Sequence, residues 1–164
     1  TQKIARYVAG KGHSTVVTDF SGDGCTATAM IGSADVEGLG EVLSGASSLR
    51  DVLFTDNQSS AHVLASGNIS NAATDLARLP QVVDALANSY AFSVSDCGNA
   101  GIEGLLKIVG ADTIIIIPTG NANISECKAM EQSLKAAGYP ETLLVKASNA
   151  NSANAVDNFQ ISAA

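Results

Sequence analysis

The sequence predicts an α/β fold, a mainly parallel sheet flanked by helices on both faces. Three observations carry this. Short runs of β-prone residues end on an acid and are followed at once by small turn-formers, as in Thr15–Asp19 and Tyr90–Asp96. Between such runs lie segments whose apolar residues recur at helical spacing. Thr113–Pro118 is apolar throughout, the pattern of a strand covered on both faces. Strands alternating with helices give a parallel layered sheet. Acids at the carboxyl ends of its strands lie on the rim where such sheets bind ligands.

In chain order, Ile4, Ala5, Val8 and Ala9 mark a first helix that Gly10–Gly12 ends. Strand Thr15–Asp19 leads into a loop rich in Gly, Ser and Asp that reaches about Asp35. Two short helices are expected over Gly38–Leu43 and Leu49–Phe54, the second capped by Ser48. Leu49 and Leu53 are candidates for a partner-binding face there, with packing into the domain's own core as the alternative. Asp56–Ala61 reads as a polar turn and His62–Ala65 as a strand. Residues 71–89 read as helical, with Pro80 opening a second helix whose apolar face holds Val82, Val83, Leu86 and Ala87. After the strand ending at Asp96, Asn99 caps a helix through Ile102, Leu105, Leu106 and Val109. Ile124–Ala137 is a helix stopped by Gly138, and Thr142–Lys146 is the last strand. The organisation expected is one domain over residues 1–147 and a loosely ordered Asn/Ser/Ala-rich tail over 148–164.

Composition narrows the function. At 164 residues, 46% hydrophobic, the chain can bury roughly 70% of its unfolded surface. A net charge of −7 with no Lys/Arg cluster argues against nucleic acid or an anionic membrane surface as partner. Cys25, Cys97 and Cys127 form no paired spacing, which points to a reducing compartment rather than a disulfide framework or zinc site. His13 and His62 are isolated from any second metal ligand. The longest apolar run, Ile114–Ile117, is far short of the ~20 residues of a membrane span. Asp19 and Asp96 are the candidate site residues, and Asp23 reads as a solvated loop acid.

The segments resemble the MinD/ParA-type P-loop ATPases, most closely the cytoplasmic tyrosine-kinase domains of bacterial exopolysaccharide chain-length and export proteins. Lys3–Val8, Gly12 and Thr15–Asp19 match that family's helix and its strand ending Asp-x-Asp-x-Arg. Gly38-Leu-Gly-Glu-Val-Leu-Ser-Gly-Ala-Ser-Ser-Leu-Arg-Asp-Val-Leu53 matches its GL-x-D-V-L-x-G-x-x-x-L-x-D-V-I segment, and Tyr90–Asp96 its Y-D-x-V-I-x-D strand. The resemblance covers about Lys3 to Lys146 and departs in four respects. The family's first strand and P-loop would lie before Thr1. Asp-x-Asp-x-Arg becomes Asp19-Phe20-Ser21-Gly22-Asp23, with an acid at the basic position. Asp-x-Pro-Pro becomes Asp96-Cys97-Gly98-Asn99, and the only tyrosines are Tyr7, Tyr90 and Tyr139.

The resemblance thus implies a cytoplasmic regulatory or assembly domain, tethered to the inner membrane through a parent protein and without catalytic turnover. Its partners would be other subunits of an exopolysaccharide export complex and further copies of itself. No cofactor is expected within these 164 residues; Asp19 and Asp96 would hold any nucleotide or metal retained, ATP and Mg²⁺ if an upstream P-loop is intact. Two alternatives belong beside it. One is an active autokinase or ATPase. The other is a receiver-like phospho-acceptor domain, in which Asp19 ends the first strand, Asp96 the third, Thr119 follows the fourth and Lys146 closes the fifth.

Overall fold

A computed structural model describes residues 1–69, 75–98, 102–106, 108–110, 113–119 and 123–145. By its contacts the chain forms two compact units, Thr1–Ile108 and Val109–Ala164.

The first unit contains α1 (Gln2–Gly10), β1 (Thr15–Asp19), α2 (Cys25–Ile31), α3 (Leu39–Ser44), β2 (Leu53–Thr55), β3 (His62–Leu64), α4 (Leu79–Ser89), β4 (Phe92–Asp96) and α5 (Ile102–Leu105). Its sheet runs β2-β3-β1-β4. β1 is parallel to both β3 and β4, while β2 runs antiparallel to β3. Every residue of β1 is buried, because its alternating side chains enter two separate cores. Val16 joins Leu39, Leu43, Val52, Leu64 and Leu86 on one face; Val17 joins Ala5, Ala9, Met30 and Val63 on the other. Helices α3 and α4 cover the first face, and α1 and α2 the second. This is the predicted layered sheet.

Four local expectations change. The loop expected to reach Asp35 contains α2, whose Thr26, Ala27 and Met30 are buried at helical spacing. The helix expected over Leu49–Phe54 does not form; Leu53–Thr55 is β2, paired in register with His62–Leu64. Leu49 and Leu53 are half-buried against the first core, so neither offers a free partner-binding face. Hydrophobic spacing over so few residues fits a turn and a strand as well as a helix, and pairing with β3 decides the matter. Finally, the β-prone run Tyr90–Asp96, bounded by turn residues, reads as a buried strand, yet in β4 Phe92, Ser93 and Ser95 are exposed. Among the described residues β4 is the last strand of its sheet, with β1 its one neighbour.

Helix α4 buries Val82 and Leu86 as expected, with Pro80 in its first turn, while Ala87 is exposed. The expected helical residues 71–74 and the Asn99 cap lie outside the described residues. So do Lys146 and the tail over 148–164.

In the second unit, β5 (Ile115–Pro118) and β6 (Thr142–Val145) pair in parallel, and α6 (Ile124–Ala136) packs on β6. Asn123 caps α6 by accepting the Ser125 amide at 3.0 Å. β5 was expected to be covered on both faces. Among the described residues Ile115 and Ile117 are buried, while Ile114, Ile116 and Pro118 face outward. No described helix is long and apolar enough to cross a membrane.

Candidate functional site

Asp19 and Asp96 close two adjacent parallel strands and lie in register, so the sheet itself sets them side by side on its carboxyl rim. The Phe20 amide donates to the Asp96 carbonyl at 2.8 Å and extends this pairing one residue into the loop. The two carboxylates, 77 positions apart in sequence, are thereby brought together.

Their surroundings differ. The Asp19 side chain is wholly buried. Its Oδ1 accepts the Ser21 amide at 2.9 Å and the Ser21 hydroxyl at 2.6 Å, while its buried Oδ2 has no partner among the described residues. Buried carboxylate oxygens are normally satisfied, and this one shares its unpartnered state with the neighbouring Thr18 hydroxyl. Asp96 is half-buried. Its Oδ2 accepts the Thr26 hydroxyl at 2.9 Å and its Oδ1 the Gly98 amide at 3.2 Å. Burial pushes the Asp96 carboxyl up, but hydrogen bonds, the Thr26 hydroxyl first and the Gly98 amide next, outweigh it, leaving the group below its ordinary value.

Three further residues complete the rim: Asp23, expected there as the acid at the family's basic position, and Ser21 and Thr26, for which the sequence offers no such expectation. Thr26 reaches Asp96 because it lies in the first turn of α2, a helix not expected there. The i, i+3 spacing of Ala27 and Met30 was the available signal. Ser21 donates from one hydroxyl toward both Asp19 and, at 2.9 Å, Asp23 Oδ1. Asp23 is exposed, as expected of a loop acid, but it is not idle. Its Oδ1 accepts the Cys25 amide at 2.8 Å at the start of α2, and that contact together with the Ser21 hydroxyl holds its carboxyl low.

The two loops that carry these acids pack against each other. Gly98 has φ +52°, and a Cβ there would lie 2.8 Å from Ser21 Cβ. Both the backbone conformation and the contact require glycine. Beside it, burial, reinforced by the Asp96 charge, pushes the Cys97 thiol up to about 11, which disfavours its thiolate.

The Gly38–Leu53 segment shapes the neighbouring end of the sheet. The Leu39 and Gly40 amides at the start of α3 donate to Ala65 and Ser66 carbonyls at 2.8 and 3.0 Å. Any Cβ at Gly38 or Gly40 would collide with the backbone of Ala65 or Asn68. An open cleft of about 540 Å³ beside it is lined by Asp35, Glu37, Glu41, Gly67 and Asn68. Glu41 is already occupied there, accepting the Gly38 and Asn68 amides.

The remaining candidates stand apart from the rim. His62 Nδ1 pairs with the Tyr90 hydroxyl at 2.6 Å, and His13 stacks edge-on against Phe92. Among the described residues no three His, Cys, Asp or Glu side chains converge as metal ligands. A cation at this rim would be held by the Asp19 and Asp96 carboxylates with hydroxyls and water, and the orphan Asp19 oxygen fits such a role. The receiver-like reading loses its strand count: β2 intervenes, so Asp96 ends the fourth strand rather than the third.

No family model and no curated protein matches the sequence. Solved structures do. The septum site-determining protein MinD of Pyrococcus horikoshii, complexed with Mg-ADP, superposes with a TM-score of 0.68 at 19% identity, over 92% of this chain and 64% of that one. The kinase domain of Escherichia coli tyrosine kinase ETK gives 0.67 at 16%, over 92% and 62%. The chimerical protein CapA2B2 gives 0.64 at 22%, over 87% and 67%. The chain therefore spans about two thirds of the length of the structures it matches. With two parallel strands bringing acids to one rim and helices on both faces of their sheet, the chain has the MinD-type P-loop ATPase fold shared by MinD proteins and bacterial tyrosine-kinase domains.

Proposed function

We propose that this chain is a regulatory or assembly domain of an exopolysaccharide biosynthesis and export protein, and that its Asp19/Asp96 rim holds a divalent cation without phosphoryl transfer. The observation that carries the cation reading is the buried Asp19 Oδ2, without a partner among the described residues, on a strand whose last residue is in register with Asp96. A buried carboxylate oxygen with no donor costs free energy that a cation recovers. The polysaccharide assignment rests on the match of Gly38–Leu53 to the exopolysaccharide kinases and on the fold shared with tyrosine-kinase domains. The non-transferring character rests on charge. An acid, Asp23, stands at the rim where phosphate would need a positive group.

The domain's work on this reading is contact with other export subunits and with copies of itself, in the cytoplasm and tethered through the rest of the protein. A MinC:MinD complex among the similar structures is in keeping with a fold that works through partners. A nucleotide-hydrolysing reading draws support from the Mg-ADP bound to the Pyrococcus horikoshii protein.

Calorimetry with Mn²⁺ and with ATP–Mg²⁺, together with a radiolabel transfer assay, separates the two. Mn²⁺ binding lost in Asp96→Asn, with ATP–Mg²⁺ binding weaker than about 100 μM (roughly 5.5 kcal/mol) and no label transfer, supports the proposal. Tight ATP–Mg²⁺ binding or transfer establishes the alternative, and absence of Mn²⁺ binding removes the cation reading.

A further inference from the structure

We draw no further inference here: the strongest candidate, the apolar face of the β5–β6 sheet on which Ile114, Ile116 and Pro118 are exposed, carries none because nothing in the structure shows what covers it.

Discussion

Replacing Asp19 by Asn tests whether its buried carboxylate is kept for a ligand or for the fold. Asn retains an Oδ1 that can accept the Ser21 amide and hydroxyl, the two bonds Asp19 makes within its own loop. What disappears is the charge and the orphan oxygen, whose burial without a partner costs about 1–3 kcal/mol. The amide hydrogens that replace the oxygen are also without a partner and return part of that gain. A net stabilisation of about 1 kcal/mol in the absence of metal is expected, equivalent to roughly 2–4 °C for a domain of this size. A ligand works in the opposite direction. At a hundredfold excess over its dissociation constant, a cation bound to the native chain adds about 2.7 kcal/mol. The order of stability should therefore reverse: Asp19→Asn above native in chelator, native above Asp19→Asn in saturating Mn²⁺. Urea denaturation and thermal melting in both buffers read this directly. If Asp19→Asn is destabilised in chelator by more than about 1 kcal/mol, the carboxylate serves the fold and the reasoning from its orphan oxygen is refuted.

Two further outcomes are expected away from that oxygen. The Asp56 side chain is fully buried and accepts Arg6 at 2.7 and 3.0 Å and the Ser59 hydroxyl at 2.7 Å, while Arg6 also reaches the Ala29 carbonyl. Arg6→Ala strands that carboxylate and should cost about 2–4 kcal/mol by urea denaturation, since breaking a buried pair leaves one charge uncompensated. Burial pushes the Asp56 carboxyl up, but Arg6 and Ser59 together bring it below its ordinary value. Its contribution is then present in full above the unfolded carboxylate range, and it fades as pH falls through the lower folded value. The native chain should lose more stability than Arg6→Ala on acidification, and parallel pH profiles would contradict this. Gly98→Ala forces a side chain into φ +52° and against Ser21. A loss of about 1–2 kcal/mol is expected, with weaker Mn²⁺ binding because the Asp19 and Asp96 loops are pushed apart; unchanged binding would show that the loops do not depend on this contact.

The sequence by itself determined the layered α/β class, the strands that end at Asp19 and Asp96, and the helices α1, α3, α4 and α6. These features are local: alternation, helical spacing, stop residues and caps are read within a dozen residues. The resemblance of Gly38–Leu53 pointed to the right fold for the same reason, since Gly38, a glycine of the shared segment, answers a close backbone approach. Only the tertiary structure decided whether Leu53 belongs to a helix or a strand, because its conformation comes from pairing with Leu64. It also decided that Leu49 and Leu53 turn inward, and that one face of β5 is left open among the described residues. The rim was half legible. Two acids at strand ends can be read from a sequence, but not that parallel pairing sets them in register. Nor can the sequence show that Thr26, seven residues past Asp19, bonds to Asp96 instead, or that one Ser21 hydroxyl stands between Asp19 and Asp23. Those relations depend on how far β1 and β4 are staggered and where α2 begins. Both are fixed by packing between segments distant in the chain, which no local pattern encodes.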